Sequence, residues 1–153
     1  VLFDPSPAFM YLTNLSLIFL RLFAWRTKLV ESVTICFSRF FAFMEATEHD
    51  FLRSLGLSVA LDWEGRHLGF PRLIADCEYL NPARFEDELE IELTVERCGE
   101  KSISYHFNIT RGETSIARGH IKVACCICHP DNSLEAVAIP KFIADKIKAA
   151  AGE

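Results

Sequence analysis

A carboxylate and an imidazole with the spacing of a helical pair are the side chains best placed to do chemistry. Glu45 and His49 are four residues apart, and residues at that spacing are neighbours on one face of a helix. A carboxylate there can activate water or attack a carbonyl carbon, provided that burial raises its pKa toward neutrality. The alternative interpretation is that the acidic residues of this helix, Glu45, Glu48 and Asp50, form a solvated stripe or pair with Arg39 and Arg53.

The helix that would carry this pair spans residues 35–56 and is the element around which the chain is organised. Its apolar residues recur at helical spacing and are Phe37, Phe40, Phe41, Met44, Phe51, Leu52 and Leu55. Ser38 is placed to act as the N-cap, and Gly56 is placed to end the helix in a left-handed conformation. So many aromatic residues require a broad apolar surface, which predicts a sheet packed against the helix.

Four segments after the helix alternate between apolar and polar residues, which is typical of half-buried strands. They cover residues 70–80, 87–98, 101–110 and 114–128. Short turns at 99–100 and 111–113 would join the last three into an antiparallel meander. Within it, Gly119 marks either a bulge or a close approach of the backbone to another element.

The remaining segments are predicted to be short or irregular. They are a strand at 26–35, a surface loop at 57–69, a second loop at 129–139 and a peripheral helix at 140–150. The first loop contains a turn at Glu64 and Gly65. Pro140 is placed in the first turn of the last helix, where its missing N–H is not needed.

Length, charge and cysteine content restrict the class of protein. The chain has 153 residues, enough for one domain with a sizeable core, and a net charge of -5. That charge is unfavourable for nucleic acid, which requires a concentrated basic surface. Cys125, Cys126 and Cys128 crowd into one apolar run, which favours buried, reduced thiols over a disulfide framework or a metal site. We therefore expect a cytoplasmic protein without a bound metal.

The first 25 residues form an unusually apolar N-terminal arm. The apolar run is interrupted by four polar residues, Thr13, Asn14, Ser16 and Arg21. A basic leader and a small-residue cleavage site are missing, which argues against a signal peptide. An arginine at the centre of a membrane span costs about 2.5 to 3.5 kcal/mol, so an arm that packs on the domain or on a partner subunit is preferred to a membrane anchor. The predicted domain covers residues 26–153.

The order of these elements and several stretches of sequence resemble a known family. The stretches are ICFSRFF and HDFLRSLG in the helix, FPRLIADCEYLNPARFEDELEIEL across the first two strands after it, and SIARGHIKVAC further on. Over residues 34–143 the chain resembles acyl-CoA thioesterases of the 4-hydroxybenzoyl-CoA thioesterase type. The resemblance implies the hotdog fold, an α+β fold in which an antiparallel sheet wraps around a long central helix.

The segment before the helix departs from the pattern of that family. Its members carry an Asp-x-Asp-x-x-Gly-x-Val stretch there, and the second Asp is the nucleophile or general base. Alignment places Val30 at that Asp, Val33 at the Gly, and Cys36 at the His or aromatic residue after the Val. Two interpretations follow: a diverged copy with weakened or lost activity, or an N-terminal segment translated from a wrong start or frame.

For the residues that match, the resemblance implies a site for an acyl-CoA thioester. The backbone amide of Phe37 would stabilise negative charge on the carbonyl oxygen, while Glu45 would replace the missing Asp with His49 beside it. Lys101 and Ser102 match positions that contact the phosphates of coenzyme A. No cofactor is expected, because coenzyme A is part of the substrate.

The expected function is hydrolysis of a small acyl- or aroyl-CoA thioester by a homodimer or tetramer. The expected partners are therefore the acyl-CoA substrate and a second copy of the chain, without nucleic acid or a membrane. The alternative is a non-catalytic hotdog subunit that binds acyl-CoA or another protein. A hotdog dehydratase ranks below both, because it would need a histidine at the start of the helix, where this sequence has none.

Overall fold

The computed structural model describes residues 23–28, 37–84 and 87–152. In these parts of the chain the elements are β1 (Phe23–Lys28), α1 (Phe37–Ser54), β2 (Ala60–Trp63), β3 (Arg66–Gly69), β4 (Arg72–Tyr79), β5 (Glu88–Cys98), β6 (Ser102–Arg111), β7 (Thr114–Ala124), β8 (Cys126–Cys128), β9 (Leu134–Ala136) and α2 (Lys141–Ala151). This is an α+β arrangement with one long helix, as the sequence predicts.

The strands form two antiparallel sheets. The larger sheet has the order β1-β5-β6-β7-β4, and the smaller has the order β2-β3-β8-β9. Pairing of β5 with β6 and of β6 with β7 confirms the predicted meander. The run predicted as one long strand at 114–128 is divided, because β7 ends at Ala124 and β8 pairs in the other sheet.

Alternation along β5 and β6 builds the apolar wall that α1 packs against. Every second side chain is buried, and these are Leu89, Ile91, Leu93, Val95, Ile103, Tyr105, Phe107 and Ile109. The helix contributes buried side chains that include Phe40, Met44 and Leu52. The ring of Phe51 meets that of Tyr105 edge-on, with the centroids 6.2 Å apart, so helix and sheet share one core.

The C-terminal end of α1 is confirmed, whereas its N-terminal end differs from the prediction. Gly56 has a φ of 66°. Its N–H donates to the carbonyl of Arg53, and the N–H of Leu57 donates to that of Leu52, which together make a Schellman motif. Because the helix begins at Phe37, Ser38 lies inside the first turn and is not the N-cap.

Two segments predicted to be loops contain strands. Residues 57–69 form the β2–β3 hairpin, whose turn residues Glu64 and Gly65 have φ values of 51° and 73°. Positive φ at both positions is the geometry of a tight type I′ turn, so the turn is where the sequence places it. The second predicted loop contains β9, which pairs with β8. Strands of three or four residues are too short to show a period in the sequence.

Strand β4 lies at an edge of the larger sheet, and its predicted alternation is wrong. Leu73 and Ile74 are neighbours, yet they are 57% and 54% exposed. An edge strand has a partner on one side only, and α1 contacts few residues of β4. Both faces of its first half are therefore open to solvent.

The two ends of the described chain also refine the prediction. Strand β1 begins at Phe23 and pairs with β5, three residues before the predicted start. Residues 1–22 and 29–36 lie outside the described residues, so the division of the chain at residue 25 stays a prediction. At the other end, Pro140 is the N-cap of α2. Its buried Ile143 and Ile147 belong to the core, so α2 is less peripheral than expected. Neither described helix combines the length and apolar character that crossing a membrane requires.

Gly119 of β7 marks a close approach of the backbone to another element, which is one of the two interpretations that the sequence allows. A Cβ placed on it would overlap the sulfur of Met44 and lie 3.1 Å from the carbonyl oxygen of Asp76. The missing side chain lets α1 lie directly against the strand. The register shift between β6 and β7 occurs elsewhere, near Thr110.

Replacing Gly119 by alanine should therefore destabilise the fold by about 1 to 3 kcal/mol, the usual range for overpacking a core. Chemical denaturation would measure the loss. Gly99→Ala is the matched control, because a Cβ there meets no heavy atom closer than 3.4 Å. Equal stability of the two variants would contradict the close packing of α1 on β7.

Candidate active site

A pocket of about 400 Å³ opens between α1 and the segment that joins β3 to β4. Its polar lining includes Glu45, His49 and Arg72, and its apolar lining includes Phe70 and Leu134. The structure therefore brings the predicted Glu–His pair to one pocket. Arg72 joins the pair from a different part of the chain.

Glu45 lies at the solvent side of the pocket. Its side chain is 58% exposed, and its Oε1 is 3.4 Å from Nη2 of Arg72. The burial that would make this carboxylate an effective base is thus missing in a single chain. Its partner is Arg72, whereas the sequence suggests Arg39 or Arg53.

His49 is half-buried one helical turn further along. Burial is the main influence on the imidazole and lowers its pKa, although the nearby Glu45 carboxylate acts in the opposite direction. The ring is therefore mostly neutral near pH 7. A neutral imidazole can accept a proton or hold a water molecule in the pocket.

Glu48 is the acidic residue of α1 that sequence reasoning misjudged. Among the described residues it is the only charged side chain that is completely buried. Nη1 of Arg72 donates to its Oε1 at 2.9 Å and lies 2.6 Å from its Oε2. Burial raises the pKa of Glu48, and the Arg72 guanidinium lowers it without cancelling that effect. A signal was present, since Glu48 follows Met44 by four residues and precedes Leu52 by four, on the buried face.

The hydroxyl of Tyr105 lies in the same buried region. Within the described parts of the chain it has no hydrogen-bond partner. Burial, and then the negative charge of Glu48, raise the pKa of Tyr105. The hydroxyl therefore stays protonated and can act as a donor but not as a base.

The predicted oxyanion donor is at the N-terminal end of α1, whereas Glu45 is near the middle of the helix. Phe37 is the first residue of the helix, where N–H groups lack partners within the helix. Eight residues separate it from Glu45, which is about 12 Å along the helix axis at 1.5 Å per residue. The amide and Glu45 of one chain therefore do not lie side by side on the helix.

Lys101 and Ser102 lie at the start of β6, away from the pocket. Nζ of Lys101 is 3.5 Å from the carbonyl oxygen of Ala136, at one end of β9. Leu134, at the other end of β9, lines the pocket. The two ends are two residues apart, or about 7 Å along a strand. Val30, Val33 and Cys36, where the sequence departs from the family pattern, lie outside the described residues.

The sequence match extends over more than half of the chain. Residues 35–117 match the sequence profile of the Thioesterase superfamily, and the protein belongs to this superfamily. A curated protein of Aquifex aeolicus, named as a candidate esterase, is 25% identical over 113 residues, which are 72% of this chain and 82% of that protein.

Solved structures of the same architecture include proteins with named activities. A 1,4-dihydroxy-2-naphthoyl-CoA thioesterase from Synechocystis matches with a TM-score of 0.70 at 17% identity, covering 83% of this chain and 96% of that one. A gentisyl-coenzyme A thioesterase matches with a TM-score of 0.65 at 19% identity, covering 83% and 99%. A hypothetical protein from Thermus thermophilus has a TM-score of 0.70 and 21% identity, covering 83% and 98%. These matches confirm the hotdog fold.

The buried Glu48 should make stability depend on pH in a defined direction. Its pKa in the folded state is raised above the ordinary 4.5, so the folded state binds more protons than the unfolded state just above that pH. The free energy of unfolding contributed by this group therefore falls as pH rises from about 4.5. Melting temperatures of the wild type and of Glu48→Gln, measured from pH 4 to 7, should show the wild type losing stability relative to the variant.

Glu45→Gln is the control, because it makes the same change on the same helix at an exposed position. The fall in stability attributed to Glu48 should remain in this variant. Parallel curves for the wild type and Glu48→Gln would mean that the Glu48 carboxyl is not perturbed by burial.

Proposed function

We propose that this protein hydrolyses a small acyl- or aroyl-CoA thioester, with low activity. The observation that carries the proposal is the pocket of a Thioesterase superfamily member in which Glu45 and His49 face an apolar lining that includes Phe70 and Leu134. The apolar lining suits an acyl or aryl group, and the polar end suits the thioester carbonyl. The names of two structural relatives, which contain aroyl-CoA substrates, support this choice.

In the proposed reaction Glu45 acts as the base. It takes a proton from a water molecule, whose oxygen bonds to the thioester carbon while the carbonyl electron pair moves onto oxygen. Collapse of this intermediate breaks the C–S bond, and the thiolate of coenzyme A takes the proton back from Glu45. The neutral His49 ring is placed to orient the water.

Coenzyme A would run along β9. The pocket wall at Leu134 and the ammonium group of Lys101 mark the two ends of this strand. The thioester would lie at the pocket end, with the nucleotide phosphates against Lys101 and the hydroxyl of Ser102. The reducing cytoplasm, where coenzyme A thioesters are handled, fits the free cysteines among the described residues.

A second subunit is part of this proposal. Because the amide of Phe37 and Glu45 of the same chain are about 12 Å apart along the helix axis, we pair this amide with the Glu45 of another copy. The exposed β4 edge offers a pairing surface, since Leu73 and Ile74 are more than half exposed and open strand edges tend to pair. We propose a homodimer or tetramer in which sites are shared between copies.

A non-catalytic acyl-CoA-binding subunit is the second candidate. Val30 stands where related thioesterases carry their Asp, and Glu45 is exposed to solvent. Loss of a positioned base costs about 10² to 10⁴-fold in rate. A chain with both features could bind acyl-CoA without hydrolysing it.

Hydrolysis of a panel of acyl- and aroyl-CoA thioesters, measured by the release of the coenzyme A thiol, distinguishes the two candidates. We expect slow turnover that Glu45→Gln abolishes and that Val30→Asp increases, because an aspartate would restore the base. Glu113→Gln is the control, since Glu113 is an exposed carboxylate in the turn between β6 and β7 that does not line the pocket. Robust turnover that survives Glu45→Gln would rule out Glu45 as the base.

Binding of coenzyme A by calorimetry completes this test. Lys101→Met should weaken binding about 10-fold or more, because a charge-assisted hydrogen bond contributes about 1.5 to 3 kcal/mol. Lys141→Met, which removes a 92% exposed lysine from α2, should have no effect. A wild type that binds coenzyme A without hydrolysing thioesters would favour the non-catalytic subunit. A wild type that shows neither binding nor hydrolysis would contradict the acyl-CoA proposal.

The assembly can be tested by light scattering at micromolar concentration. The wild type should be a dimer or larger, and Ile74→Lys should shift it toward the monomer, because a charge on an edge strand opposes pairing. Phe142→Lys is the control, as it places the same charge at an exposed apolar position of α2. A monomeric wild type would remove the shared site.

A further inference from the structure

We propose that Arg72 is a catalytic residue of this site and donates a hydrogen bond to the thioester oxygen while the buried Glu48 holds its guanidinium in place. This inference rests on the function proposed above. It assigns the stabilisation of negative charge to a side chain that lies next to Glu45 in the same chain. Arg72 itself has no role in the reaction described so far.

Arg72 is the link between the buried and the exposed parts of the site. Its Nη1 donates to Oε1 of Glu48 at 2.9 Å, and its Nη2 lies 3.4 Å from Oε1 of Glu45. The side chain is 29% exposed and lines the pocket. One face of the cation therefore points into the core, and another is available to a ligand.

The position of the guanidinium is fixed from two directions. A buried carboxylate without a cationic partner would be strongly unfavourable, so Glu48 requires Arg72 to stay where it is. The backbone just before Arg72 is also anchored, because the N–H of Ala124 in β7 donates to the carbonyl of Pro71 at 3.0 Å. A preorganised donor is what stabilisation of developing charge requires.

The number of donors allows this role. A guanidinium carries five N–H groups in a fixed plane, whereas Glu45 and Glu48 contact only its two terminal nitrogens. The contact with Glu45 is long for a charge-assisted hydrogen bond. A carbonyl oxygen that enters the pocket can therefore be bound without breaking the pair with Glu48.

The movement of charge during the reaction also favours this role for Arg72. Before the reaction, the two carboxylates and Arg72 together carry one net negative charge. When Glu45 takes the proton from water, its charge disappears and an equal charge forms on the thioester oxygen. The total is unchanged, and the new anion is within reach of the cation that has just lost its weaker partner. When the C–S bond breaks, the charge leaves with sulfur, and the thiolate takes the proton from Glu45.

Distance distinguishes this donor from the amide at the start of α1. Within one chain the Phe37 N–H is about 12 Å from Glu45 along the helix, while Arg72 contacts Glu45 directly. Two donors often share one oxyanion. The Phe37 amide of a second copy and the Arg72 side chain can thus act together.

The test uses an unreactive ketone analogue in which a methylene group separates the sulfur of coenzyme A from a ¹³C-labelled aroyl carbonyl. Infrared spectroscopy of the complex reports hydrogen bonding to the carbonyl as a shift of its stretch to lower frequency. We expect a shift in the wild type that Arg72→Lys partly retains and Arg72→Met largely loses. Phe37→Pro, which removes the amide at a position that tolerates proline, should retain most of the shift.

Kinetics with the thioester provide the second readout. Arg72→Met should lower kcat about 10² to 10³-fold, as expected for removal of one oxyanion donor, with a much smaller change in KM. Because Arg72→Met leaves Glu48 buried and unpaired, it is paired with the double variant Glu48→Gln/Arg72→Met, which removes the unpaired charge. Both should lose the infrared shift.

An unchanged carbonyl shift in the folded double variant would overturn the role of Arg72. A shift that persists there but disappears in Phe37→Pro would assign the oxygen to the helix amide. If the wild type hydrolyses thioesters but shows no dependence on Arg72, only this inference fails. If the analogue does not bind to the wild type at all, the proposed function fails with it.

Discussion

The buried ion pair between Glu48 and Arg72 is the interaction on which the arrangement of the site depends. Glu48 is completely buried, and an isolated carboxylate in that position would be strongly unfavourable. The pair ties the middle of α1 to the first residue of β4, two elements with few other contacts. Since Arg72 also reaches Glu45, the same cation connects the core of the protein to the mouth of its pocket.

The close packing of α1 on the larger sheet makes this ion pair possible. Gly119 leaves room for Met44 against β7, and Phe51 packs on Tyr105 of β6. With the helix held at this depth, the residue one turn after Met44 is enclosed whatever its polarity. Glu48 is therefore buried because of its position on the helix, and its partner must come from the sheet.

The site combines one tightly held half with one open half. Glu48, Arg72 and the buried hydroxyl of Tyr105 are fixed by the core, whereas Glu45 is exposed and Lys101 lies at the far end of β9. The exposed β4 edge is next to this open half, since β4 begins at Arg72. In the proposed dimer, a second copy paired with this edge would lie beside the solvent side of the pocket.

By itself the sequence determined the elements with a long period: α1, the strands β5 to β7 and the end of the helix at Gly56, because burial on one face imposes a pattern that many residues repeat. It also placed Glu45 and His49 on one face, since four residues make a helical turn. Tertiary structure alone decided the short strands β2, β3 and β9, the exposure of β4 at an edge, and the pairing of Glu48 with Arg72. The short strands escape prediction because three or four residues show no period. The exposure of β4 and the pairing of Glu48 with Arg72, which are 24 residues apart, depend on contacts between segments distant in sequence, and no local pattern encodes such contacts.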